Sequence, residues 1–359
     1  MKIALIIAGT LDSLTGGFIY DRFLAEALRR RGHRVEVVGL PARPYPLCLA
    51  DNFSWKLRKR LMGGSWDLLL QDELAHPSLV ALNRALQARN RRPIVGIVHQ
   101  VLCLQPRRRW LNRIYRAVEK RYLAGLDGSL FNSEDTRRRV RRLIGRERPY
   151  QVARPAGDRL GRLPSPATIA VRARRAGPLE LLFVGNLSPI KGLEELIRAL
   201  APTPQAGWRL TVVGAADRDR SYAQRVRRLV SRLRLFAEVS FAGRLDGSDL
   251  RDVFLRCHAL AMPYAHEGFG IAALEAMGFG LPVIGSTCGG VGEFVRHGEN
   301  GWLVAPGDSA ALRVYVETLM KNRALLDRMG RSAYETHRAW PTWEESMGEA
   351  CRFLERLGA

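Results

Sequence analysis

Acidic residues are scarce where basic ones are dense. Residues 1–178 hold 14 Asp and Glu against 35 Lys and Arg, and residues 179–359 hold 21 against 22, so almost all of the net charge of +22 lies in the first half. A general preference for arginine would raise the charge everywhere. Its confinement to one half points to a polyanionic surface or partner of that half. Cysteine is also sparse. Cys48, Cys103, Cys257, Cys288 and Cys351 are scattered, odd in number and without a CxxC pair. That pattern excludes a disulfide framework and a thiolate zinc site, and it fits reduced thiols in a cytosolic protein. Long apolar runs are missing as well, none approaching the about 20 residues that span a bilayer. The opening run at 3–8 is short for the core of a secretion signal and leads at once into helix-like, charged sequence, so it reads as a first buried strand.

What is present is a repeated alternation of strand and helix. At 359 residues with 47% apolar content, the chain is long for one core and can fill two. Strands are expected at 2–9, 34–40, 67–71, 93–99 and 127–133, with helices at 18–31, 107–124 and from 134 onward. After a Pro-, Gly- and Arg-rich stretch at 155–178, strands recur at 180–185, 209–215, 238–243, 259–264 and 282–286, with helices at 190–200 and 249–257. This is α/β sequence with two doubly wound, Rossmann-like units, whose strand ends would face a cleft. The expected domains are 1–170, 171–335 and a terminal helical segment, 336–359. The tail has Trp340, Trp343, Met347, Cys351 and Leu354 at helical spacing, an apolar face suited to packing across the domain boundary.

The chemistry concentrates in HEGFGIAALEAMGFGLPVI, residues 266–284. A glycine loop leads into a helix of about two turns, whose free N–H groups and dipole attract an anion. Glu267 precedes that helix and Glu275 stands near its end. Carboxylates accept well from vicinal hydroxyls. Hydroxyls, phosphate, hydroxyls is the layout of a nucleotide-sugar. The same spacing also fits a capping glutamate plus a surface glutamate. The densest basic stretch is 106–125. There Arg107, Arg108, Arg109, Arg113, Arg116, Lys120 and Arg121 interleave with Trp110, Leu111, Ile114, Tyr115, Val118 and Tyr122. Its apolar face can meet the sheet, or it can meet an anionic membrane, with KLRKR (56–60) and RRRVRRL (137–143) adding charge. No recognition motif accompanies the charge, so nucleic acid is not expected.

Residues 266–308, with Glu267 and Glu275 in a Glu-x7-Glu pattern followed by Gly289, Gly290 and Glu293 and by GENGWLV, closely resemble the retaining glycosyltransferases of family 4. The resemblance covers essentially the whole chain. It implies the GT-B fold, with a first domain that binds acceptor, a second that binds donor, and a C-terminal helix that crosses back to the first. It implies Glu267 beside the donor sugar, Glu275 on the ribose hydroxyls, and the diphosphate on the backbone of Gly268, Phe269, Gly270, Ile271 and Ala272. His266 would stand beside Glu267, and Met262, Pro263 and Tyr264 would support the site.

FVGNLSPIKGLEELIRAL (183–200) resembles the first strand, loop and helix of the family's donor domain. Gly185 and Asn186 would lie at the donor and Lys191 would pair with the diphosphate. The family often has arginine where Asn186 stands, so one cation of the usual clamp is missing and Arg244 is a candidate replacement. Gly16 and Gly17 match the family's double-glycine loop near donor and acceptor. A histidine placed like His99 is more often structural; the resemblance implies that it contacts the donor sugar. Asp72, Glu73, Ser133 and Glu134 are candidates near the acceptor, with Asp72 and Glu73 equally readable as a helix cap. Lacking a DxD pair in the donor region, the chain is expected to need neither metal nor cofactor beyond a UDP-, GDP- or ADP-sugar. Three functions compete. They are transfer to a lipid-linked or cell-envelope glycan, transfer to a soluble metabolite, and glycan or nucleotide binding without catalysis. The expected location is cytoplasmic, peripheral at the inner face of the cytoplasmic membrane.

Overall fold

The computed structural model describes residues 1–12, 15–89 and 92–358. Within the expected loop 10–17, Ser13 and Leu14 lie outside the described residues, as does Ala359 of the tail. The chain forms two compact units, one made of Met1–Pro155 with Pro341–Ala359, the other of Ala156–Trp340.

In the first unit six parallel strands form one sheet. They are β1 (Lys2–Ala8), β2 (Arg34–Leu40), β3 (Leu68–Asp72), β4 (Ile94–Val98), β5 (Gly128–Phe131) and β6 (Tyr150–Val152), in the order β2-β1-β3-β4-β5-β6. Residues 3–7 of β1 are all fully buried, as befits a central strand covered on both faces. The order reverses between β1 and β3, and the carboxyl ends there are where such sheets leave a crevice. The helix Gly16–Arg30, expected from about Phe18, starts two residues earlier because Thr15 caps it, accepting from the Phe18 N–H at 3.4 Å.

The C-terminal helix Trp343–Gly358 belongs to this first unit. Trp343 stacks on Phe23 at 4.3 Å, and Glu355 takes Arg31 in a two-point pair at 2.8 Å. Gly128 in β5 leaves room for it, since a Cβ there would stand 2.6 Å from Leu357. Trp340, expected on the apolar face of this helix, is not on it. It stays in the second unit beside Phe294 at 5.6 Å, because the chain turns at Pro341 before the helix begins.

The second unit repeats the plan with β7 (Leu179–Val184), β8 (Trp208–Val213), β9 (Val239–Gly243), β10 (Ala259–Ala261), β11 (Val283–Ser286) and β12 (Gly301–Val304), all parallel in the order β12-β11-β10-β7-β8-β9. Its reversal lies between β7 and β10. The second unit begins at 156, where 171 was expected. The stretch that reads as a linker contains the helix Pro166–Arg174, capped by Ser165 and carrying Ile169 and Arg172 into the core. Arg172 donates to the carbonyls of Phe279 and Gly280 at 2.8 and 2.9 Å, closing the end of the helix Ile271–Gly278. Among the described residues no helix is long and apolar enough to cross a membrane.

Candidate active site

The second unit places its chemistry at the reversal of its sheet. The loop after β7 carries Gly185, the half-buried Asn186 and Lys191; the loop after β10 carries Glu267. The two loops are stitched by the Ala265 N–H donating to Ile190 O at 2.8 Å, and the Lys191 ammonium pairs with Glu267 Oε2. Burial pushes the Glu267 carboxyl up, but Lys191, the Gly268 N–H at 3.1 Å and nearby His266 outweigh it and hold the group below the ordinary carboxylate range. His266 is buried next to this pair.

Two glycines set the shape of the loop. Gly270 has φ +98° at the cap of Ile271–Gly278, a conformation open to glycine and costly for other residues. A Cβ on Gly289 would stand 2.3 Å from Glu267 O, so only glycine lets the two loops meet, with the Gly290 N–H donating to Gly268 O at 3.0 Å. The helix has no side-chain cap and no acid in its first turn. That leaves an N-terminus with an unneutralised dipole next to a lysine. Phe269 turns its ring inward, 5.3 Å from Phe294, and Ile271 is buried too, so these positions offer the site their backbone. Met262 and Tyr264 are also buried.

Glu275 differs from a surface glutamate. It is 1% exposed and bound by Arg159, whose Nε meets Oε1 and whose Nη2 meets Oε2 at 3.3 Å. The same guanidinium also pairs with Asp246. Burial pushes the Glu275 carboxyl above its usual range even against Arg159. Arg159 lies in the stretch that reads as a linker, with no motif around it to mark it. Arg244 is exposed on the bend after β9, two residues before Asp246.

In the first unit Gly16, Gly17, Asp72, Glu73 and His99 come together at the reversal between β1 and β3. A Cβ on Gly17 would stand 3.1 Å from the His99 ring, so the glycine lets the helix start against the imidazole. His99 is buried. Its Nε2 bonds Asp21 Oδ1 at 3.0 Å, its N–H donates to Glu73 Oε2 at 2.9 Å, and its carbonyl accepts from Asn132 at 2.8 Å. Asp21 was missed by the sequence reading. Its signal is an acid on the apolar face of Gly16–Arg30, where it is fully buried.

Asp72 caps the turn Glu73–Ala75, accepting from the Leu74 N–H at 2.9 Å, so the cap reading describes its contacts. One oxygen each of Asp21, Asp72 and Glu73 is buried without a hydrogen-bond partner. Ligating atoms of Asp21, Asp72 and His99 lie within 4.8 Å of one another. Burial and then Asp21 raise the Asp72 carboxyl to about 7, against the pull of His99. Burial and then Asp72 raise that of Glu73 well above its usual range. Burial lowers His99, but Asp21 and then Asp72 together more than reverse it. Ser133, expected near the acceptor, is fully buried as the cap of Glu134–Ile144, accepting from the Thr136 N–H at 3.1 Å. Glu134 opens that helix and pairs with Arg137 at 2.6 Å.

Comparison with known proteins places both units. Residues 166–336 match the family model described as glycosyl transferases group 1, and residues 16–156 match that described as glycosyltransferase family 4. A glycogen synthase of Mycobacterium tuberculosis is 34% identical over 166 residues, which are 46% of this chain and 39% of that protein. Matches of this kind thus span less than half of the relative's length. A phosphatidyl-myo-inositol mannosyltransferase of Mycobacterium leprae is 27% identical over 99% of this chain and 97% of its own. Among solved structures, sucrose-phosphate synthase from Thermosynechococcus elongatus has TM-score 0.84 at 23% identity, covering 99% of each chain. Anabaena HepE in complex with UDP and glucose has TM-score 0.75 at 22% identity over 98% and 99%. At these identities the structural likeness establishes the fold, the GT-B architecture.

Proposed function

The chain belongs to the group 1, family 4 glycosyltransferases, and from that premise we propose that it moves a sugar from a nucleotide-sugar to a hydroxyl acceptor with retention of configuration. The observation that carries this reading is the Lys191–Glu267 pair beside the uncapped N-terminus of Ile271–Gly278. A diphosphate settles on that terminus and draws Lys191 to itself, which releases the Glu267 carboxylate toward the sugar hydroxyls. Glu275, oriented by Arg159, accepts from the ribose hydroxyls. Gly185 and Asn186 line the loop that carries Lys191, and Arg244, on the bend before Asp246, is a further cation for the diphosphate.

In the transfer step the bond from the anomeric carbon to the diphosphate oxygen breaks and its electron pair goes to the leaving group. Lys191 and the helix dipole stabilise the growing negative charge. The acceptor oxygen attacks on the face the diphosphate leaves, and a phosphate oxygen takes its proton. Glu267 stabilises positive charge on the sugar ring. The chain's own cationic and N–H groups meet the diphosphate charge, so this reading requires no metal.

The donor is a uridine diphosphate sugar, a choice supported by the UDP complex of HepE. The acceptor is lipid-linked, forming part of the cell envelope, and it is used at the inner face of the cytoplasmic membrane. The basic first half and the full-length likeness to a phosphatidyl-myo-inositol mannosyltransferase support this choice.

The test is titration calorimetry of the whole protein with UDP, GDP and ADP without added metal. A product assay with the matching sugars on lipid-linked and soluble acceptors follows, with the anomer read by NMR. UDP binds and a retained linkage forms on the lipid acceptor. Failure of all three nucleotides to bind, or an inverted product, overturns the reading. Transfer to soluble acceptors alone replaces the lipid acceptor.

A further inference from the structure

Large apolar side chains left in water are concentrated in one part of the first unit. Phe53 is 89% exposed, Trp55 68% and Trp110 58%, with Leu47, Leu104 and Ile114 also exposed. They sit on the helix Tyr45–Ala50, the turn Asp51–Phe53, the helix Trp55–Gly63, the turn Leu102–Leu104 and the start of Arg109–Gly125. These elements are tied together. Tyr45 stacks on Tyr115 at 3.7 Å, and His76–Leu79 packs against both Tyr45–Ala50 and Arg109–Gly125.

The long helix divides its apolar side chains. Tyr122 and Leu123 are buried in the core, while Trp110 and Ile114, one turn apart, face out. Its acid, Glu119, turns inward to accept from the N–H groups of Leu102 and Cys103 at 2.7 and 2.8 Å. Its basic residues Arg109, Arg113, Arg116, Lys120 and Arg121 are all exposed, as are Lys56, Arg58, Lys59 and Arg60 on Trp55–Gly63. Lys59 stands over the Trp55 ring at 4.9 Å, and among the described residues only Arg60 of these nine pairs with an acid, Glu36 at 3.2 Å.

We propose that this face docks on an anionic lipid surface, with Phe53, Trp55 and Trp110 entering the headgroup layer and the basic side chains meeting lipid phosphates. Charge alone would suit any polyanion. Exposed aromatic side chains can also stack on unpaired bases, but Leu47, Leu104 and Ile114 beside them gain from an apolar layer behind the charge, which a bilayer has and a nucleic acid lacks. The proposal rests on the transfer reading above for why a surface matters, since it brings the protein to an acceptor anchored there.

The experiment is cosedimentation of the whole protein with vesicles of phosphatidylglycerol and phosphatidylcholine, or of phosphatidylcholine alone, alongside a UDP titration. The protein sediments with the anionic vesicles and not the neutral ones. Phe53→Ser with Trp55→Ser lowers partitioning about tenfold or more. Lys56→Gln with Lys59→Gln does so by a similar factor. Both variants keep wild-type UDP affinity. No binding to anionic vesicles, or binding untouched by the Phe53 and Trp55 changes, overturns docking. Single-stranded oligonucleotide binding that survives those changes, without vesicle binding, assigns the charge to nucleic acid instead. Vesicle binding without UDP binding sinks the transfer reading and keeps the docking face; UDP binding without vesicle binding does the reverse.

Discussion

Glu275 is held twice by Arg159, and a carboxylate so fixed is a pre-aimed acceptor. Replacing it with glutamine keeps the volume and removes the charge. A hydrogen bond to a charged group is worth about 1.5–3 kcal/mol, so Glu275→Gln is expected to weaken UDP binding about tenfold or more. Unchanged affinity in calorimetry would remove the ribose role. Asp72 yields a second expectation. Its carboxyl titrates near 7 in the folded unit against 3.8 when free, so the folded state keeps the proton longer. The stability this contributes is fully present below about pH 4 and is lost as pH rises through about 7. Asp72→Asn keeps an oxygen for the Leu74 N–H and removes the charge. Relative to wild type it should gain about 2 kcal/mol between pH 5 and pH 8, less than the full shift because the carboxyl of neighbouring Glu73 is raised as well. Equal melting differences at the two pH values would contradict it.

The strands were the legible elements. Runs such as residues 3–7 and β4 are apolar at every position because parallel strands are covered on both faces. The helix Pro166–Arg174 was hidden by composition. Proline at its first turn and arginines along it look like linker, yet the proline suits that position and Arg172 is buried against two carbonyls. At the candidate site, Lys191, Glu267 and His99 were readable because they stand in loops that follow strands, and Glu275 through its fixed spacing from Glu267. Asp21 and Arg159 were not. Their partners are 78 and 116 residues away, and no local spacing reports such a pairing. The C-terminal helix carries its own expectation. Trp343 is 3% exposed, stacked on Phe23 and edge-on to Tyr20. Trp343→Ala is expected to destabilise the first unit by about 3–5 kcal/mol, read as a lowered unfolding midpoint. A loss under 1 kcal/mol would show that the helix is only loosely attached.

At the scale of the molecule, the two six-stranded sheets share one plan, and the charge divides unequally between the two halves of the sequence. The first unit is discontinuous in sequence. It is begun by residues 1–155 and completed by 341–359, while the second is a single stretch. During synthesis the second unit can therefore finish before the first, although the first emerges earlier. At about 5–20 residues per second, the sheet of the first unit waits roughly ten to forty seconds for Trp343 and its neighbours to arrive. Through that interval Phe23, Tyr20 and the outer side of Gly128 lie uncovered. The nascent chain is then a natural client for a chaperone, and its last turns of helix close the fold.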